Sequence, residues 1–105
     1  MAKYLLAYHG GGMPDSEEEG ARVMAAWGEW MGGLGEALVD GGNPIGSAAT
    51  VVADGSSSAG GGGNPVTGYS VISAGSLDEA VALTQGCPVL ASGGSVEVAE
   101  TFDVM

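Results

Sequence analysis

The feature of the sequence that most constrains the fold is a repeated helix-start motif that follows an apolar, strand-like segment. The motif, Ser-x-x-Glu, occurs at residues 16–19 and again at residues 76–79. In such a capping box the serine hydroxyl accepts a hydrogen bond from the glutamate amide, and the glutamate carboxylate reaches back to the serine amide. The two motifs therefore predict helices over residues 16–35 and 76–85.

Short apolar runs predict five strands around these helices, at residues 3–9, 37–41, 48–53, 67–74 and 95–102. The resulting order, β-α-β-β-β-α-β, is typical of an α+β fold of the ferredoxin-like, split βαβ type with an extended middle hairpin. Right-handed crossovers place both helices on one face of a mainly antiparallel sheet. A chain of 105 residues is expected to form a single domain, residues 1–105.

The first predicted strand is apolar on both of its alternating faces. Tyr4, Leu6 and Tyr8 share one face, and the opposite face carries Leu5, Ala7 and His9. Because the two helices can cover only one face of the sheet, the other face needs a partner. The simplest partner is a second copy of the chain, so the sequence predicts a homodimer.

A glycine- and serine-rich segment at residues 54–64 is predicted to be a flexible loop. It contains four consecutive glycines, which suggests phosphate binding. However, it lacks the Lys followed by Ser or Thr that ends a P-loop, and no strand–loop–helix frame surrounds it. The segment therefore does not predict a nucleotide site.

The charge balance excludes two classes of partner. Thirteen acidic residues face only Lys3 and Arg22, which gives a net charge of −11. Nucleic-acid binding needs cationic side chains that neutralise phosphates, and an anionic membrane surface would repel this chain. We expect neither nucleic acid nor membrane as a partner.

Cysteine content and the first residues bear on redox chemistry and location. The single cysteine, Cys87, excludes an intramolecular disulfide and any zinc site built on several cysteines. The apolar run before Gly10 is too short for a signal peptide or a membrane span. A cytoplasmic protein without a cofactor or metal is the expectation.

Several segments, taken in order, resemble the YCII-related (DGPF-type) domain family. They are Lys3–Leu6, Leu38–Pro44, Gly68–Ser70, Ser76–Ala80, Gly86–Pro88 and Gly93–Val98. The resemblance covers nearly the whole chain. It implies a ferredoxin-like domain that dimerises into an α/β barrel. It also implies a function like that suggested for some members, an enzyme with a His–Asp pair in a cleft.

The chain departs from the family pattern at three positions. The predicted first helix carries no histidine, although members suspected of catalysis have one there. Gly63-Asn64-Pro65 stands where another branch has Asp-Gly-Pro-Phe, and Val89 stands where related chains often have a histidine after Cys-Pro. The catalytic pair of the family therefore cannot be transferred as a whole.

His9 and Asp40 are the candidate catalytic residues. His9 is the only histidine and ends the first strand beside a run of glycines, where it could serve as an acid or base. Asp40 lies in an otherwise apolar strand, just before Gly41-Gly42, and could orient the imidazole if it were buried beside it. A hydrogen-bonded or exposed histidine and a solvent-facing or backbone-capping aspartate remain the structural alternatives.

Trp27 and Glu97 are the candidate ligand-binding residues. Trp27 lies three positions before Trp30 on the first helix, where the pair could pack in the core or an interface, or line an aromatic pocket. Glu97 is either the polar side of an alternating strand or part of a site. Cys87 has no cationic neighbour in the sequence and is predicted to be an inert thiol.

Two function classes follow from these residues. One is a small-molecule enzyme with acid–base chemistry at His9 in a cleft at the dimer interface. The other is a non-catalytic protein of the same fold that binds a small ligand or acts as an accessory. The residues leave open whether the chain is an enzyme.

Overall fold

The computed structural model describes residues 1–12 and 14–104. Met13, in the loop that follows the first predicted strand, and Met105 lie outside the described residues. The strands are β1 (Ala2–His9), β2 (Leu38–Asp40), β3 (Ala49–Val51), β4 (Ser57–Ala59), β5 (Val66–Ala74) and β6 (Ser95–Glu100). The helices are α1 (Glu17–Leu34), α2 (Leu77–Thr84) and α3 (Pro88–Ala91), with a 3-10 turn at Gly35–Ala37.

The main sheet has four strands in the order β2-β5-β1-β6, and each neighbouring pair is antiparallel. β5 lies between β1 and β2, which is the arrangement of a split βαβ unit. The protein is therefore an α+β fold with an antiparallel sheet, and its topology is compatible with the ferredoxin-like class.

Both long helices begin at the predicted capping motifs. Ser16 is the N-cap of α1 and accepts a hydrogen bond from the Glu19 amide at 3.1 Å, and Ser76 does the same for α2 with Glu79. The reciprocal bonds differ from the expected pattern. The glutamate carboxylates accept from Asp15 and Gly75, one residue before each serine, rather than from the serine amides. The serine caps still satisfy an amide that the first turn would leave unpaired.

All three helices pack against one face of the main sheet, which we call the covered face. Its strand side chains include Tyr4, Leu6, Tyr8, Ser70, Ile72 and Ala74, all buried. Helix side chains complete the core, namely Leu34, Ala80 and Val89, with Cys87 just before α3. The helices-on-one-face prediction is therefore confirmed, and the core lies between the helices and the sheet.

None of the described helices lies on the opposite face of the main sheet, which we call the open face. Alternation along the strands places Leu5, Ala7, His9, Tyr69, Val71, Glu97 and Ala99 on this face. Leu5 is 38% exposed, whereas its neighbour Leu6 on the covered face is 0% exposed. The single chain thus leaves an apolar strip of its sheet in contact with solvent.

The segment between β2 and β5 forms an arm apart from the main sheet. The predicted strand at residues 48–53 is present as β3, but it pairs with β4 in a separate two-stranded sheet. β4 lies inside the stretch predicted to be a loop at 54–64, so that prediction was wrong in part. Every residue of β3 and β4 is exposed. The radius of gyration is 15.1 Å, whereas a compact chain of this length would have about 13 Å.

The short helix α3 was also missed by the sequence analysis. Helix α2 ends at Thr84, before Pro88. Pro88 then occupies the first turn of α3, where its fixed backbone angle favours a helix and its missing amide costs nothing. Val89 of α3 adds a buried side chain to the core beside β1 and β6.

Candidate functional site

His9 lies at the end of β1 on the open face and is 9% exposed. Its Nδ1 atom lies 3.1 Å from the carbonyl oxygens of both Asn64 and Pro65, at the point where the arm returns to the sheet. Its Nε2 atom lies 3.6 Å from Oε1 of Glu97. The imidazole is thus placed between two backbone carbonyls and one carboxylate.

The register between β1 and β6 explains why Glu97 reaches His9. Ala7 is opposite Glu97, and His9 is opposite Ser95. Side chains two positions apart on a strand share a face, so His9 and Glu97 are diagonal neighbours on the open face. Diagonal neighbours lie within reach of long side chains.

The two carbonyls determine the protonation pattern of the ring. A carbonyl oxygen only accepts hydrogen bonds, so Nδ1 must carry the proton that is shared between Asn64 and Pro65. In the neutral ring, Nε2 then has a free lone pair. Over residues 1–12 and 14–104, Nε2 of His9 is the one buried side-chain polar atom with no hydrogen-bond partner. A buried polar atom in this state is costly, so it marks a site that a ligand or proton could satisfy.

Glycines allow the backbone to pack closely around His9. A Cβ atom on Gly94 would lie 2.5 Å from the His9 carbonyl oxygen and 2.7 Å from a methyl carbon of Val89. Gly10, directly after His9, has a φ of 71°, a conformation that side chains disfavour. The Thr67 hydroxyl donates to the carbonyls of Tyr8 and Gly10. These contacts fix the end of β1 and with it the position of the imidazole.

Asp40 and His9 are not brought together. Asp40 in β2 is opposite Val71, which is opposite Leu5, so it lies two strands away from β1 and near the middle of that strand. Its Oδ1 atom accepts a hydrogen bond from the Gly42 amide at 2.8 Å, and the residue is exposed. Asp40 therefore caps a turn, which was one of the alternatives considered from the sequence.

Trp27 contributes to the core on the covered face. Its ring meets Tyr8 edge-on, with centroids 5.0 Å apart and an angle of 73° between the planes. Trp27 also meets Trp30 at 5.8 Å, and the Trp30 indole donates to the Leu83 carbonyl, which joins α1 to α2. Trp27 is thus separated from His9 by the sheet, and the structure gives the two tryptophans a packing role.

Two titratable groups on the covered side are held in their neutral forms. Burial raises the pKa of Tyr8 to about 12, although its hydrogen bond to Ser70 opposes the shift. Burial also raises the pKa of the Cys87 thiol, which is 2% exposed. A buried thiol with a raised pKa is a poor nucleophile, in line with the interpretation of Cys87 as inert.

A shallow groove of about 530 Å³ lies between α1 and the α2–α3 region, lined by Arg22, Val23, Cys87 and Leu90 among others, away from His9. Within the described ranges, no three His, Cys, Asp or Glu residues come together to hold a metal ion. None of the described helices is both long and apolar enough to cross a membrane.

Comparison with known proteins adds no family assignment. The chain matched no protein-family model, and no curated protein matched it.

Two of the groups at this site, His9 and Glu97, were predicted from the sequence as separate candidates. The predicted partner of His9 was Asp40. The carbonyls of Asn64 and Pro65 leave no signal in a sequence, since every residue has a carbonyl. The alternating pattern of β1 and β6 could have suggested the pair with Glu97, had the strand register been known.

Proposed function

We propose that the chain forms a homodimer through its open face and binds a small molecule at His9 and Glu97. The proposed assembly is a ferredoxin-like, dimeric α/β barrel of the YCII-related type. The observation that carries the proposal is the buried Nε2 atom of His9, which has no partner and lies 3.6 Å from a carboxylate oxygen. That atom faces the same side of the sheet that the helices leave uncovered.

The apolar strip on the open face supports the dimer. Val71, Leu5 and Ala99 lie side by side across three strands, and Leu5 is exposed. Exposed apolar patches of this kind mark association sites. A twofold pairing of sheets would bury on the order of 1,200–2,000 Å², the usual range for a stable interface. The net charge of −11 opposes association, but physiological salt screens charges beyond about 8 Å.

The geometry at His9 supports acid–base chemistry. Nε2 has the lone pair that can take a proton from a bound molecule, while the carbonyls of Asn64 and Pro65 accept from Nδ1 in either protonation state. Once Nε2 is protonated, the Glu97 carboxylate would stabilise the imidazolium. His9 would then act as the proton acceptor and Glu97 as its counter-ion.

Binding without catalysis is the second candidate function. It is favoured by one observation, that Asp40 caps a turn and does not contact His9. The site then has one acid–base group and its counter-ion, which is enough to hold a ligand in a fixed orientation.

A set of three probes tests the ligand site. Pentanoate, 1-butanol and n-butylammonium share a butyl chain and differ in the charge and hydrogen bonding of the head group. Because His9 is the only histidine, its ring carbon signals in a ¹H–¹³C spectrum report on the site without assignment. We expect at least one probe to shift the His9 signals in a saturable way. Ligand-detected binding of that probe should be lost in His9→Asn.

The control for His9→Asn is that the variant remains folded. His9→Asn should retain the near-ultraviolet circular dichroism of the wild type, which excludes loss of binding through unfolding. If none of the three probes shifts the His9 signals in a saturable way, the proposed ligand site is wrong.

A further inference from the structure

We infer that the ligand of the His9–Glu97 site is a hydrogen-bond-donating cation of the primary ammonium class. This inference depends on the proposed ligand site and specifies what that site takes. It follows from the kind of atoms that surround the position a ligand would occupy and from the placement of the two cationic side chains of the protein.

The two side-chain atoms that face each other at the site, Nε2 of the neutral His9 ring and Oε1 of Glu97, are both hydrogen-bond acceptors. The Nε2 lone pair and Oε1 of Glu97 lie 3.6 Å apart, too far to be bonded to each other when the ring is neutral. A single nitrogen placed about 2.9 Å from each atom would satisfy both. An ammonium group has several N–H donors and a positive charge, so it can bond to the imidazole and the carboxylate together.

Within one chain, neither of the two cationic side chains is close enough to His9 to receive an anion there. Lys3 lies six residues before His9 on β1, which corresponds to about 20 Å along the strand. Arg22 lies on α1, on the covered side, with its guanidinium 3.7 Å from Glu18. An anionic ligand at His9 would instead meet the Glu97 carboxylate and a chain of net charge −11.

Glu97 also provides a route to the buried nitrogen. Its side chain is 69% exposed, whereas that of His9 is 11% exposed. An exposed side chain changes rotamer on the picosecond-to-nanosecond scale. Rotation of Glu97 away from the ring would remove the carboxylate that lies 3.6 Å from Nε2, and its return would place the carboxylate against a bound cation.

The same three probes test this inference when they are titrated one at a time while the His9 signals are followed. The titrations are done at pH about 8, where an alkylammonium is charged. We expect n-butylammonium to saturate the His9 signals at a lower concentration than 1-butanol, and pentanoate to leave them unchanged. Glu97→Gln should weaken n-butylammonium binding about tenfold, the usual loss for a charge-assisted hydrogen bond.

Glu29→Gln is the matched control for Glu97→Gln. It removes the same charge from an exposed position on α1, on the covered side of the sheet. Binding of n-butylammonium should be unchanged in this variant, since the effect depends on the position of the carboxylate. An equal loss of affinity in both variants would mean that binding of the cation depends only on the net charge of the protein, and would overturn the inference.

The remaining outcomes distinguish failure of the ammonium class from failure of the ligand site itself. Tighter binding of pentanoate or 1-butanol than of n-butylammonium would overturn the ammonium class and leave the ligand site standing. Saturation by Zn²⁺ with no response to n-butylammonium would overturn it in favour of a metal ion. No response to any probe would overturn the ligand site itself, and the ammonium class with it.

Discussion

The two faces of the main sheet share the same strands and differ in almost everything else. On β1, Leu6 is 0% exposed under the helices, and its neighbour Leu5 is 38% exposed on the open face. The covered face holds packed aromatic and aliphatic groups, with the Tyr8 hydroxyl donating to Ser70 and the Ser70 hydroxyl donating to the Gly41 carbonyl. The open face holds the one unsatisfied buried polar atom found in the described residues, Nε2 of His9.

This difference shows how one strand can serve two purposes. Alternation assigns neighbouring residues to opposite faces, so stability and chemistry can be encoded in the same short segment. Residues on the covered face have all their partners within the chain. On the open face, Nε2 of His9 has no hydrogen-bond partner and Leu5 is exposed, and the proposed ligand and second copy would contact them.

The largest effect that should distinguish the faces comes from truncating adjacent leucines. Leu6→Ala should lower the free energy of unfolding by about 2–5 kcal/mol, because it leaves a cavity in a packed core. Leu5→Ala should cost less than about 1 kcal/mol at high dilution, since Leu5 is already partly exposed. Urea unfolding of both variants measures the difference.

Measuring the stability of the two variants at several protein concentrations tests the same difference between the faces. A subunit interface adds stability that increases with concentration, whereas an internal core does not. The cost of Leu5→Ala should therefore grow as the protein is concentrated, and the cost of Leu6→Ala should persist at every concentration. Equal costs for the two variants at all concentrations would contradict the assignment of faces.

A smaller effect is expected from alkaline pH, which acts on the covered face. Burial raises the pKa of Tyr8 from its ordinary value of 10.0 to about 12. The unfolded chain then loses this proton at a lower pH than the folded chain. Stability is retained below pH 10 and falls as the pH rises towards 12, by up to about 3 kcal/mol in total. Urea unfolding at a series of alkaline pH values measures this slope.

Tyr8→Phe provides the control for the alkaline slope. It removes the titrating hydroxyl and keeps the ring that packs against Trp27. The variant should lose most of the pH dependence. A residual slope of the same sign is expected, because burial also raises the pKa values of Tyr4 and Cys87. An unchanged slope in Tyr8→Phe would show that the buried phenol is not its source.

Much of the fold could be predicted because its signals are local. The serine caps locate the starts of α1 and α2, and apolar runs locate the four strands of the main sheet. β4 escaped prediction because Ser57, Ser58 and Ala59 have no apolar alternation. α3 escaped because a proline that ends one helix can also begin the next.

The site was less predictable because it depends on the pairing of distant strands. His9 stood out as the only histidine, but its partner was sought at Asp40, the acidic residue of a neighbouring apolar strand. The register places Asp40 two strands away and brings Glu97 from the far end of the chain to the ring. Strand register arises from the whole sheet and cannot be inferred from the local sequence of either strand.

The central claim is that the open face is where two copies meet, and the mass of the protein in solution tests it most directly. Size exclusion with light scattering, at micromolar protein and moderate salt, should report twice the chain mass of 10.2 kDa. Leu5→Glu, on the open face, should reduce this to a single chain mass because it buries a charge in the interface. Leu77→Glu, at an exposed leucine in the first turn of α2, should remain a dimer. A monomeric wild type, or a Leu5→Glu variant that stays dimeric, would contradict the account.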